Sequence, residues 1–196
     1  MHQLKKSLFF FILIICSVSI NAQEKIPIKS VMLNESKLSI LGTSNVTDFE
    51  CFYENDFQID TLSHFLSIEK EIVRISGDTL KLTIDNFDCG KRGINRDFRK
   101  SLQSDEYPTI DISLINFKPS NELLEEVNVL ISLAGTEKRY VLEFTSIYQD
   151  DGIIKIEGER TLSMTDFNID PPKALFGLIK VRDELTITFT LFLKIQ

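Results

Sequence analysis

The sequence predicts an all-β fold of about eight antiparallel strands with one short helix. Three observations predict it. Apolar and polar residues alternate along most of the chain, turn-forming residues separate the alternating runs, and only the segment around 94–102 has helical spacing. Alternation marks strands with one buried and one wet face. Such strands pair antiparallel, because parallel strands buried on both faces read as continuous apolar runs.

The runs fall at 28–33, 37–44, 48–58, 62–68, 71–76, 79–86, 109–118, 127–134, 138–148, 153–163 and 181–194, some of them merging into eight or nine strands. In the sixth, Leu80, Leu82 and Ile84 alternate with Lys81, Thr83 and Asp85. Val127, Val129, Ile131 and Leu133 share a face, as do Leu142 and Phe144, then Ile154 and Ile156. In the last run Leu185, Ile187, Phe189, Leu191 and Leu193 alternate with threonines. The run at 109–118 changes phase: Ile110, Ile112 and Leu114 lie on one face, Ile115 and Phe117 on the other. A β-bulge near 114–115 reconciles them and supplies the bending a curved sheet needs. Gly77-Asp78, Lys118–Asn121 and Asp150–Gly152 read as turns, the last as a hairpin.

The helical segment places Ile94, Phe98 and Leu102 four apart, with Asn95 as a candidate cap. A helix this short is not stable alone and must lay its apolar stripe over one end of the barrel. A second helical turn is expected near Pro172–Leu175, since proline can start one. Eight or more such strands can close on themselves or stack as a sandwich; closing the sheet into a barrel removes the edges that invite aggregation. An eight-stranded barrel has room for packed side chains or one small ligand. Three of the fifteen phenylalanines fall in the first 22 residues, leaving twelve and no tryptophan to supply a large apolar interior.

Residues 1–22 read as a signal peptide: Lys5 and Lys6, an uncharged run from Leu8 to Ile20, then Asn21-Ala22 before the break. Cys16 offers the rival reading of a lipoprotein acceptor, which the bulky Leu13-Ile14-Ile15 disfavours. Residues 23–196 then form one domain, expected in the periplasm or secreted. Losing Lys5 and Lys6 takes the net charge from −7 to −9. That acidity keeps a protein soluble and is poorly suited to phosphate backbones, so no nucleic-acid partner is expected. Cys51 and Cys89 remain, either as a disulfide of an oxidising compartment or as two buried thiols.

Signals for catalysis are missing. His64 is the one histidine of residues 23–196, and its ordinary reading is structural. No His/Cys cluster, CxxC, GxSxG, phosphate-binding glycine loop or dinucleotide fingerprint is present, so no metal, cofactor or enzymatic role is expected. Lys91, Arg92, Arg96, Arg99 and Lys100 form a basic cluster, read as the wet face of the helix, or else as a contact for a lipid head group or an anionic membrane.

Three stretches carry a resemblance. They are GTSNVTDF at 42–49, INRDFRKSLQSDEYPTIDISL at 94–114, and GERTLSMTDFNIDPPKALFGLIKV at 158–181 with Asp183-Glu184 after it. In this order they resemble the YceI-like family of secreted lipid-binding barrels. Two positions depart from the shorter-motif branch of that family: Thr47 stands where a histidine is usual, and Phe49 where a tryptophan is. The resemblance implies a lipocalin-like barrel whose apolar channel holds a polyisoprenoid or similar amphiphile, without catalysis. Strand parity names Phe144, Phe167, Phe176 and Phe189 as channel-lining candidates, with Phe87 and Phe98 near the helical end. Asn45, Asp48, Thr165 and Asp166 read as turn-stabilising. The alternative function is a non-catalytic structural or envelope-stress interaction module with a filled core.

Overall fold

A computed structural model describes residues 24–54, 61–119, 125–148, 152–174 and 178–196. The strand segments are β1 (Ile26–Met32), β2 (Lys37–Ser44), β3 (Phe49–Tyr53), β4 (Thr61–Glu69), β5 (Ile72–Gly77), β6 (Leu80–Thr83), β7 (Phe87–Asp88), β8 (Thr109–Phe117), β9 (Glu125–Leu133), β10 (Thr136–Tyr148), β11 (Ile153–Ser163), β12 (Lys173–Ala174) and β13 (Ile179–Ile195). Helix α1 spans Arg92–Ser101, and 3-10 turns occupy Ile84–Asn86 and Met164–Phe167.

All strand pairings are antiparallel. Hydrogen bonding runs β1-β4-β5-β8-β9-β10-β11-β13 and returns to β1, which closes a ring of eight strands. The long β13 serves two neighbours on one edge. Its C-terminal end pairs with β1 through Met32 and Leu193, and its middle pairs with β2 through Ile40 and Ile187. β3 and β7 extend from β2, while β6 pairs with β8, so the wall continues past the ring toward α1. The predicted bulge is present: the β8–β9 register shifts between Leu114 and Asn116.

Several expectations are corrected. The run predicted at 79–86 is broken at Ile84–Asn86, because the Ile84 N–H donates to the carbonyl of Pro108 (2.9 Å) and the chain turns there into β7. Pro172–Leu175 is not a helical turn at its described residues. Lys173 and Ala174 pair with Lys180 and Ile179 as a short hairpin, leaving Leu175 outside the described residues. Asn95 does not cap α1. Lys91 holds the N-cap position, and Asn95 lies one turn in, accepting from the Cys89 N–H (2.7 Å) and donating to Asp88 (2.8 Å). The β9–β10 connection is a two-residue turn, Ala134-Gly135, both with positive φ (47° and 72°). That geometry matches the twist of the paired strands.

The core gathers at the α1 end. Ile84, Phe87, Val129 and Phe167 are at most 1% exposed there, with Leu82, Ile131 and Leu162 around them. Cys51 and Cys89 form a disulfide beneath α1 and join β3 to the residues leading into the helix.

A divided apolar interior beneath the helix

The sheet register assigns the inward faces, because directly paired antiparallel residues point to the same side. Leu162, Arg160, Gly158, Ile156 and Ile154 face inward from β11, opposite Leu185, Ile187, Phe189, Leu191 and Leu193 of β13. Tyr140, Leu142 and Phe144 face inward from β10. Along β11 burial changes with height: Leu162 is buried near α1, whereas Ile156 and Ile154 farther along are half-buried, as are Leu142 and Phe144 of β10 and the whole inward row of β13 from Leu185 to Leu193.

Two cavities lie at the packed end. One of about 50 Å³ is almost entirely apolar and runs between Leu38, Ile40, Leu82, Phe87, Ile110 and Phe167. The other, about 180 Å³, lies between α1 and the strand ends, against Phe49, Ile94, Pro172, Ile179 and Val181, with Ser44, Thr47, Asp97 and Ser101 at its margin. Phe98, Leu102, Met164 and Leu185 line both, so the helix side chains form part of the partition between them. An apolar cavity of roughly 150 Å³ accepts a benzene-sized molecule, so the larger cavity fits a short branched piece of a hydrocarbon.

The candidate phenylalanines divide into two groups. Phe87, Phe98 and Phe167 are buried at the packed end. Phe87 sits 5.0 Å from Tyr53 and 5.5 Å from Phe98, centroid to centroid, and all three candidates line the smaller cavity. Phe144 and Phe189 lie higher, on either side of Gly158, whose missing side chain leaves the space their atoms occupy. Phe176 lies outside the described residues. Sequence reasoning missed the helix-side lining, Ile94 and Leu102 with Ile179 and Val181 facing them. Their spacing was visible, but which strand end lies under the helix was not.

Polar side chains fix the surrounding turns. Asn45 accepts from the Lys180 N–H (2.7 Å) and donates to the Leu178 carbonyl (2.9 Å), joining the β2–β3 turn to the β12–β13 turn. Asp183 accepts from both the N–H (2.9 Å) and the hydroxyl (2.7 Å) of Thr165. Asp166 accepts from the Tyr140 hydroxyl (2.7 Å), whose ring stacks on Phe167. Burial first, and the bond to Asp166 next, raise the Tyr140 phenol well above its ordinary value. His64 stands on β4 opposite Gly77, its Nε2 3.0 Å from the Asp78 carbonyl. In the basic cluster Arg99 pairs with Asp85 (2.9 Å) and Arg96 with Asp97 (3.2 Å), so part of its charge is met within the chain. Among the described residues no group of three or more His, Cys, Asp or Glu side chains is placed to hold a metal ion.

No family model matches the sequence, and no curated protein matches it. Solved structures do match. BcnA of Burkholderia cenocepacia superposes with a TM-score of 0.62 at 15% identity, covering 81% of this chain and 96% of that one. A polyisoprenoid binding domain from Saccharophagus degradans, implicated in plant cell wall breakdown, gives 0.60 at 11% identity, covering 85% and 97%. A YceI protein of Campylobacter jejuni gives 0.50 at 11% identity, covering 67% and 79%. With the eight-strand ring, helix α1 and the apolar interior in place, this likeness shows that the chain has the YceI-like, lipocalin-like antiparallel barrel fold.

Proposed function

We propose that the chain binds and carries an apolar lipid, such as a polyisoprenoid, inside its barrel, as an exported protein of the periplasm or extracellular space that performs no catalysis. The observation that carries this reading is the uneven filling of the interior. Phe87, Phe167 and Leu162 are buried near α1, whereas Leu142, Phe144, Ile154 and Ile156 and the whole inward row of β13 from Leu185 to Leu193 are half-buried. Apolar lining without full burial gains about 25 cal/mol for each Å² a hydrocarbon covers. A filled-core interaction module accounts for the packed end and leaves the half-buried lining unexplained. The Saccharophagus domain, a polyisoprenoid binder of similar fold, supports the choice of ligand class. The Cys51–Cys89 disulfide supports export, since such bonds persist in oxidising compartments.

The test is native mass spectrometry of the protein expressed with its leader and purified from the exported fraction. Lipid adducts are expected, on a chain beginning at Gln23. A lipid-free protein that also takes up no added polyprenol would overturn the carrier reading.

A further inference from the structure

Arg160 is a cation on the inward face of an apolar wall. It follows Gly158 and precedes Leu162 on that face of β11 and pairs directly with Ile187 of β13; on the other side the β10–β11 pairing runs as far as Glu143 opposite Glu159, one residue short of it. Its guanidinium carbon lies 5.7 Å from the centre of the Tyr140 ring. Its Nε is shut off from solvent and has no hydrogen-bond partner. Among the described residues no carboxylate forms an ion pair with it. The two acids that act on the same tyrosine are otherwise engaged: Asp166 holds the phenol hydroxyl, and Asp183 holds Thr165.

An arginine cannot shed its proton to escape such a site, and its planar fork of donors matches a carboxylate or phosphate. The residue as a whole is half-buried, and for the end of the guanidinium that is shut off, contact with one aromatic face offsets only part of the desolvation cost. On the packed side Leu162 and Phe167 are buried; on the other the lining is half-buried apolar wall. An acidic group at Arg160 with a hydrocarbon chain along that wall satisfies both features.

We propose that Arg160 is an anion-binding group inside the barrel and that the ligand is an amphiphile with an acidic head, carboxylate or phosphate, on a long apolar chain. The inference rests on the carrier reading and adds the chemistry of the head.

The test compares farnesol, farnesoic acid and farnesyl monophosphate as competitors of a neutral fluorescent probe, N-phenylnaphthylamine, on the full mature chain at neutral pH. One or both acidic ligands are expected to bind about tenfold or more tightly than the alcohol, and the tighter of the two identifies the head group. In Arg160→Gln the acidic ligands should lose about ten- to a hundredfold, the range of a hydrogen bond to a charged group, with farnesol changed less than about threefold. Arg160→Lys should keep part of the preference. Equal binding of alcohol and acids by the unaltered protein overturns the anion site and leaves the carrier intact, with no need of a variant. Failure of all three ligands to bind overturns both.

Discussion

Gly158 is a residue whose importance lies in what it lacks. A Cβ at this position would meet the Phe189 ring, the Phe144 side chain and the Glu143 carbonyl. Gly158→Val is therefore expected to cost about 1–3 kcal/mol through overpacking, read as a lower urea midpoint at unchanged slope. Tyr140 gives a pH-dependent expectation. Its phenol is raised above the ordinary value of 10 by burial and then by Asp166. The folded state keeps a proton that the unfolded chain releases, so this contribution is complete below about pH 10 and is lost as pH rises beyond it. Stability measured across alkaline pH should fall less steeply in Tyr140→Phe, and a slope identical to that of the unaltered chain would exclude the assignment. At this scale much was legible. Parity alone put Phe144 and Phe189 on the inward face; residue type marked Thr165 and Asp166 as turn residues, and they lie in the 3-10 turn, but their side chains bond Asp183 and Tyr140 rather than nearby backbone. It gave no sign that Arg160, between Glu159 and Thr161, faces the same interior, because a charged residue in an alternating run ordinarily marks the wet face. Thr47 and Phe49, the two departures from the YceI-like pattern, both line the larger cavity, Phe49 from the start of β3 opposite Gly42.

At the scale of elements, α1 depends on what it covers. Ten residues form no stable helix alone. Phe98 anchors it against Phe87, with Ile94 and Leu102 on the same side. Phe98→Ala is expected to cost about 3–5 kcal/mol. Because Phe98 lines both cavities, the variant should also admit a larger apolar probe at this end, which xenon or benzene binding measured by NMR would show. The disulfide ties the approach to this helix to β3 across 38 residues of sequence. A loop of that length predicts a loss of about 4 kcal/mol when Cys51 and Cys89 are both replaced by serine, measured by urea unfolding. The helix was readable from its period of four. The break at Ile84–Asn86 was not, because Leu80, Leu82 and Ile84 continue the alternation of a strand. The turn is set by a hydrogen bond to Pro108, 24 positions away in sequence.

Across the whole molecule, the barrel is stabilised unevenly, and its dynamics should follow. Amides of β2 and of the lower β8–β9 pair, beside Ile40, Ile110 and Ile131, should exchange slowest with deuterium. Those near Phe144, Ile154 and Ile156 should exchange faster and become protected when lipid is added. Uniform protection in the lipid-free chain would contradict the loosely filled half. The sequence by itself determined the class of fold: period-two patterning, punctuated by turn residues, permits little besides an antiparallel sheet, and the bulge at 114–116 follows from the change of phase. It also determined that one short helix must cover something, since its stripe is apolar and its length too small for independence. Only the tertiary structure decided which residues share one height of the barrel. Strands pair with a stagger that accumulates around a closed ring, so residues far apart in sequence meet through a register that no local pattern encodes. That register buries Phe87 and Phe167 under α1, sets Phe144 and Phe189 about Gly158, and places Arg160 on the inner wall against Tyr140.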